Sequence, residues 1–204
     1  MNFPPASSFF SALLQANQDP GHNLEKLRLR PGMDFNAPRQ WWDHGQRPRP
    51  HEGIDIRLFS SPDKDCRVMP QPFAVPAAYD GIVINCFRDF LGFSIFVLHE
   101  LHDPDHLQLL TAYGHLTPAA NLEIGNHVRA DEIIGRVMDS NQSKKVPKHL
   151  HLSLALLNPA LSRKNLTWQS LANKSAKLID PLTIFPEGSY SLIDSDTPQP
   201  VEHN

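Results

Sequence analysis

Two histidines one residue apart, in Lys148-His149-Leu150-His151-Leu152-Ser153-Leu154, are the residues of this chain best placed to do chemistry. Leu150, Leu152 and Leu154 alternate with His149, His151 and Ser153, and that period of two predicts a strand with one face in a core. Both imidazoles then enter the same space. Upstream, His51-Glu52-Gly53-Ile54-Asp55 offers another imidazole and a carboxylate, and Tyr113-Gly114-His115-Leu116 a further imidazole. Such a set suits a hydrolytic zinc site. His51, Asp55 and His151 can supply two nitrogens and one oxygen, which leaves the fourth position of a tetrahedral ion for water. Water held there is acidic near neutral pH. Its proton needs a base within hydrogen-bond reach, and the developing oxyanion needs a donor; His149 and His115 are the candidates.

The elements that must position these residues are mostly strands. Ile54–Leu58 alternates, Gly81–Phe87 follows a turn at Tyr79-Asp80, and Phe93–Leu98 with Leu107–Tyr113 flanks the polar loop His102–His106 as a hairpin. Short strands near His127–Arg129 and Ile133–Val137 precede the strand His149–Leu156. Ser8 is placed to cap a helix through Asn17, with Phe9, Phe10, Leu13 and Leu14 as its apolar stripe. Trp168, Leu171, Ala172, Ser175 and Leu178 stand at helical spacing, predicting a helix over Trp168–Ile179. Residues 1–49 therefore read as a helix and an irregular wrapping segment, 50–186 as a β-rich domain, and 187–204 as a polar, disordered tail. Within the wrapping segment, Trp41 and Trp42 either pack on the core, the favoured reading, or line a groove.

At 204 residues, with 40% hydrophobic side chains, the chain has room for one substantial domain. A net charge of −3 gives no case for a nucleic-acid partner. Two cysteines, Cys66 and Cys86, are too few for a disulfide framework; one bridge or two buried thiols are both open. No apolar run is long enough for a transmembrane segment. The N-terminal apolar stretch has no basic region before it and does not read as a signal peptide.

In order and context these motifs resemble the lysostaphin-type, or LytM-like, zinc endopeptidases of bacterial cell walls. That family's pattern runs His-x-Gly-x-Asp, Tyr-Gly/Ala-His-Leu, His-Leu-His and a closing Asp-Pro. Here the matching residues are His51-Glu52-Gly53-Ile54-Asp55, Tyr113-Gly114-His115-Leu116, His149-Leu150-His151 and Asp180-Pro181. The stretches Val75–Val83, Ile124–Ala130 and Ile133–Gly135 are also similar, so the resemblance spans roughly Pro50 to Pro186. It implies a curved antiparallel sheet with an active-site groove and a few peripheral helices. It implies one Zn2+ held by His51, Asp55 and His151, with His115 and His149 acting on the water and the tetrahedral intermediate. Tyr113 and His99 take structural parts, while His22, His44, His102, His106, His127 and His203 are expected in solvent.

The implied substrate is the peptide part of peptidoglycan, either cross-links or stem peptides, which places the protein in the cell envelope, periplasmic or secreted. Two departures stand out. The family's glycine-rich approach to His-Leu-His is replaced by Met138–Lys148, whose lysines suggest a groove suited to an acidic stem rather than a bare glycine bridge. Ser153 stands where an acidic residue is common. Some domains of this kind have lost their ligands and instead activate cell-wall amidases, but none of the five key residues is missing here. A masked site is a further possibility, with Asn36 or His44 from the first fifty residues occupying the open metal position. Oligomeric state is not legible in the sequence.

Overall fold

Leu150–Leu157 (β11) is a strand throughout, and all 8 of its residues are buried. It lies inside a large, mainly antiparallel sheet, so both of its edges are paired and both of its faces covered. The computed structural model describes residues 3–18, 23–139, 145–160, 163, 166–171 and 176–194. Along the chain, helix α1 (Phe9–Ala16) is followed by β1 (Leu27–Leu29), β2 (Ile54–Ile56), β3 (Leu58–Ser61), β4 (Lys64–Val68) and β5 (Ala74–Pro76). Then come β6 (Gly81–Arg88), β7 (Phe93–His102), β8 (Gln108–Pro118), β9 (His127–Val128) and β10 (Ile133–Val137). After β11, a single helical turn, α2 (Trp168–Ser170), precedes β12 (Ala176–Ile179), and β13 (Tyr190–Leu192) closes the described chain. The fold is mainly β.

The larger sheet runs β12-β11-β8-β7-β6-β9, with β2 also pairing with β11 and β10 bridging β8 to β5. A second sheet, β13-β1-β3-β4, takes strands from both flanking segments. Leu150, Leu152, Leu154 and Leu156 enter the principal core beside Ile54, Ile56 and Tyr113, which α1 covers with Phe9 and Leu13. The opposite face of the sheet carries a smaller cluster in which Ala155 and Leu157 meet Phe96, Leu110 and Leu171. Burial of this many aliphatic groups, at roughly 25 cal/mol per Å2 of apolar surface, is what holds the strands in register.

Several local expectations are corrected. Trp168–Ile179 is not one helix: after α2 the chain becomes β12, which pairs antiparallel with β11 from Leu154↔Ile179 to Leu157↔Ala176. The backbone groups along that side of β11 need partners, and that need overrides helical spacing. Helix α1 forms as expected, but the amide of Phe9 donates to Ser7 Oγ at 3.1 Å. The Ser8 hydroxyl instead donates to Asp131 Oδ1 at 2.7 Å. Strands β1, β4, β5 and β13 carry too little periodicity to be read from sequence. Cys66 and Cys86 are free and sit in different sheets.

His99 serves structure, as expected. It is fully buried, its Nδ1 donates to the Asp80 carbonyl at 2.9 Å, and Thr111 Oγ1 lies 2.8 Å from Nε2. Burial pushes its imidazole down to about 4, so it stays neutral. His44, His102, His106 and His127 are exposed, whereas His22, His203 and the expected disordered tail after residue 194 lie outside the described residues. No described helix is long and apolar enough to cross a membrane.

Candidate active site

The pairing register brings the motifs together. Strand β2 sets Asp55 opposite His151 on β11, and β8 sets Gly114 opposite the same His151 from the other side. Three polar atoms converge. His51 Nε2 lies 3.1 Å from Asp55 Oδ1 and 3.1 Å from His151 Nδ1, and His151 Nδ1 lies 2.9 Å from Asp55 Oδ1. All three residues are buried, at 1%, 1% and 7% exposure, which rules out water as their solvent. Among the described residues this is the group that could hold a metal ion.

The partners behind each ring show which nitrogens are free. His51 Nδ1 faces the Asp34 carbonyl at 2.9 Å, and a carbonyl only accepts, so the proton sits on Nδ1 and the neutral ring turns a bare Nε2 inward. His151 Nε2 lies 3.0 Å from Ser153 Oγ, a partner that can take its proton and leave Nδ1 bare. Neutral rings thus place at most one proton among three mutually facing acceptors. A cation satisfies all three. Two imidazoles and a carboxylate are a zinc donor set, so the residues fit the ion. Ser153, at the position where the sequence departs from the pattern, thereby gains a role behind the ligand.

Asp55 is held from both sides. Burial alone would raise its carboxyl, but His51, His149 and His151 outweigh that and hold it well below the usual carboxylate range. Its second oxygen, Oδ2, accepts from Trp41 Nε1 at 2.8 Å and from an Arg47 guanidinium nitrogen at 3.3 Å. Trp41 does pack on the core, yet it also orients a candidate ligand. Trp42 stacks on His149 with ring centroids 6.2 Å apart. Sequence reasoning missed these contacts, because nothing in a lone Trp-Trp pair names its acceptor. Asn36 and His44 are exposed and stand outside the group of converging ligand atoms; the wrapping segment reaches the site through Asp34, Trp41, Trp42 and Arg47 instead.

His149 and His115 flank the three. His149 Nδ1 donates to the Pro147 carbonyl at 2.7 Å, which leaves Nε2 bare and 3.5 Å from Asp55 Oδ1. Burial pushes this imidazole down to about 3, with Asp55 pulling the other way. It is a neutral ring with a free lone pair aimed at the site. His115 packs edge-on against His149 at 4.8 Å between centroids. In a regular strand its side chain would share the face of Tyr113, which enters the core. A left-handed φ of +67° at His115 breaks that alternation. Strand β8 changes partner there, from β11 through Gly114 to β10 from Leu116 onward.

Behind His115 stands Asp89, in the turn between β6 and β7. Its Oδ1 lies 3.1 Å from His115 Nδ1, and its Oδ2 accepts from the His115 amide at 3.0 Å and from Ser94 Oγ at 2.7 Å. Burial opposes ionisation, but these hydrogen bonds, led by the one from His115, hold the Asp89 carboxyl well below the usual range. Ser94 Oγ in turn accepts from Trp168 Nε1 at 2.7 Å, and Trp168 packs edge-on against His151 at 4.8 Å. The signal that could have found Asp89 is a tight Asp-x-x-Gly turn between two strands.

The site is bordered by two recesses. One, of about 370 Å3, is lined by Arg47, Arg49, Glu52, Trp168 and Gln169. The other lies over His115 and His149, with Leu91, Met138 and Lys148 in its wall. Lys148 forms an ion pair with Asp139, so its charge is already met. Residues 140–144, including Lys144, lie outside the described residues.

Comparison with known proteins finds no matching family model and no matching curated protein. Solved structures do match. The chain is similar to a candidate glycyl-glycine endopeptidase, lytM, of Ruminococcus gnavus, at 21% identity and TM-score 0.43, over 72% of this chain and 51% of that one. It is similar to lysostaphin of Staphylococcus simulans at 17% identity and TM-score 0.46, over 88% and 61%. A SpoIIQ–SpoIIIAH pore-forming complex also matches, at 18% identity and TM-score 0.46, over 79% and 91%. The chain spans about half the length of the lytM protein. At these identities the likeness concerns the path of the chain, and the functional reading rests on the side chains above.

Proposed function

We propose that this chain is a zinc metallopeptidase that hydrolyses peptide bonds of peptidoglycan. The observation that carries the chemistry is the triangle of His51 Nε2, Asp55 Oδ1 and His151 Nδ1, three acceptors facing one another at 2.9–3.1 Å. The substrate class is supported by the four ordered motifs and their resemblance to the lysostaphin-type family. An envelope location, periplasmic or secreted, follows from that substrate.

When bound, zinc would supply a water acidic enough to ionise at neutral pH and an electrophile for the scissile carbonyl. The protein's own residues do the rest. His149, neutral and anchored at Nδ1, can take the proton of the attacking water at Nε2. His115 differs in having a carboxylate rather than a carbonyl behind it. Positive charge on its ring is met by Asp89, which suits a group that offers a proton at Nε2 to the developing oxyanion or the departing amine. Trp41 and Arg47 occupy Asp55 Oδ2 and so leave Oδ1 as the inward oxygen.

Digestion of purified muropeptides of defined cross-linking, read by mass spectrometry, tests the reading. The expected result is new amino and carboxyl termini within stem peptides or cross-links. Arg47 and Arg49 beside Trp168 favour acidic, diaminopimelate-type stems, so these should be cut faster than pentaglycine. Faster release from pentaglycine would overturn that preference. An intact muropeptide pool together with stimulation of an added amidase would replace the peptidase reading by a regulatory one.

A further inference from the structure

The turn joining β6 to β7 is shorter than its neighbours and is pressed against the site. The amide of Asp89 donates to the Gly92 carbonyl at 2.9 Å, leaving Phe90 and Leu91 at the tip. A Cβ on Gly92 would lie 2.9 Å from the Leu116 carbonyl oxygen and 3.0 Å from the His115 carbonyl carbon. Only glycine lets this turn approach β8 so closely. Phe90, 66% exposed, covers His115 edge-on at 4.8 Å.

Everything around the Asp89 carboxylate donates. Oδ1 takes the amides of Leu91 at 2.9 Å and Gly92 at 2.7 Å, besides His115 Nδ1 at 3.1 Å. Oδ2 takes the His115 amide and Ser94 Oγ. Because an ionised carboxylate cannot donate, the proton on His115 must sit at Nδ1. The same side chain therefore fixes the tautomer of the ring and holds the amide of a residue whose backbone is in the left-handed region.

We infer that Asp89 is the positioning residue of the site: it fixes His115 with Nδ1 protonated and Nε2 turned toward the reacting groups. Trp168 and Ser94 support it, and through Trp168 the same network packs against the candidate ligand His151. The inference rests on the peptidase reading for what His115 does, but not for how the ring is held. An asparagine cannot substitute, since its amide nitrogen would face a donor at either end of the group.

Nitrogen NMR of the full chain, with and without added zinc, at about pH 8.5 where an ordinary histidine is neutral, reads the His115 tautomer directly. The expected result is a protonated Nδ1 in the native chain and a mixture of tautomers in Asp89→Asn. In the variant, kcat on a muropeptide should fall about 10²–10⁴-fold while zinc occupancy holds and KM changes by less than about threefold. A native chain with the proton on Nε2 would overturn the inference, as would a folded Asp89→Asn chain with unchanged tautomer and kcat. Should Asp89→Asn not fold, the native spectrum alone decides. Should the chain hydrolyse no muropeptide, the spectrum still decides for Asp89, and it is the peptidase reading that falls.

Discussion

His151→Ala should abolish zinc binding, whereas His149→Ala should leave the zinc in place and remove most of the turnover. The two side chains are one residue apart in the sequence, and the expected results differ because their nitrogens have different partners. His151 Nδ1 stands within 3.1 Å of both other candidate ligand atoms, so its loss removes one of three protein donors. Zinc affinity should fall at least about a thousandfold, which is roughly 4 kcal/mol. His149 Nε2 lies 3.5 Å from Asp55 Oδ1 and outside the converging group. Its loss removes acid–base assistance alone, worth about 10²–10⁴-fold in rate. Zinc content and kcat measured on both folded variants check this. Equal loss of zinc in the two would make both histidines ligands and reverse the assignment of His149.

The second large effect is expected at a residue without a side chain. A Cβ on Gly53 would lie 2.1 Å from the Leu152 carbonyl oxygen and 2.5 Å from Ser153 Oγ. Neither neighbour can yield. Leu152 is paired with Ile54 on one side and Tyr113 on the other, and Ser153 Oγ is the partner of His151. Gly53→Ala must therefore push β2 away from β11, and with it Asp55 away from His151. The expected loss of stability is about 3 kcal/mol or more, larger than ordinary overpacking because backbone rather than side chain is struck. Denaturant unfolding measures it, and zinc binding by the remaining folded protein should weaken in parallel. A variant within about 1 kcal/mol of the native chain would show that the two strands are not held this closely.

Gly53 also shows why part of the site could be read in the sequence. His51, Gly53 and Asp55 are close in the chain, as are His149, His151 and Ser153, and short spacings on extended backbone translate directly into shared faces. What failed was non-local. Asp89 and His115 are 26 residues apart, and their meeting depends on a left-handed residue that strand alternation cannot foresee. Trp41 reaches Asp55 through an irregular segment with no periodicity to follow. Residues 176–179 carry an apolar spacing compatible with a helix, but the adjoining side of β11 makes them a strand. Local pattern gave the ligands; the groups that orient them come from the sheet's register and from loops.

The most direct test is metal content coupled to hydrolysis. After dialysis in mild buffer the protein should hold about one zinc per chain. Chelation should stop muropeptide cleavage, and added zinc should restore it. Metal-free protein that still cleaves muropeptides at the full rate would contradict the account.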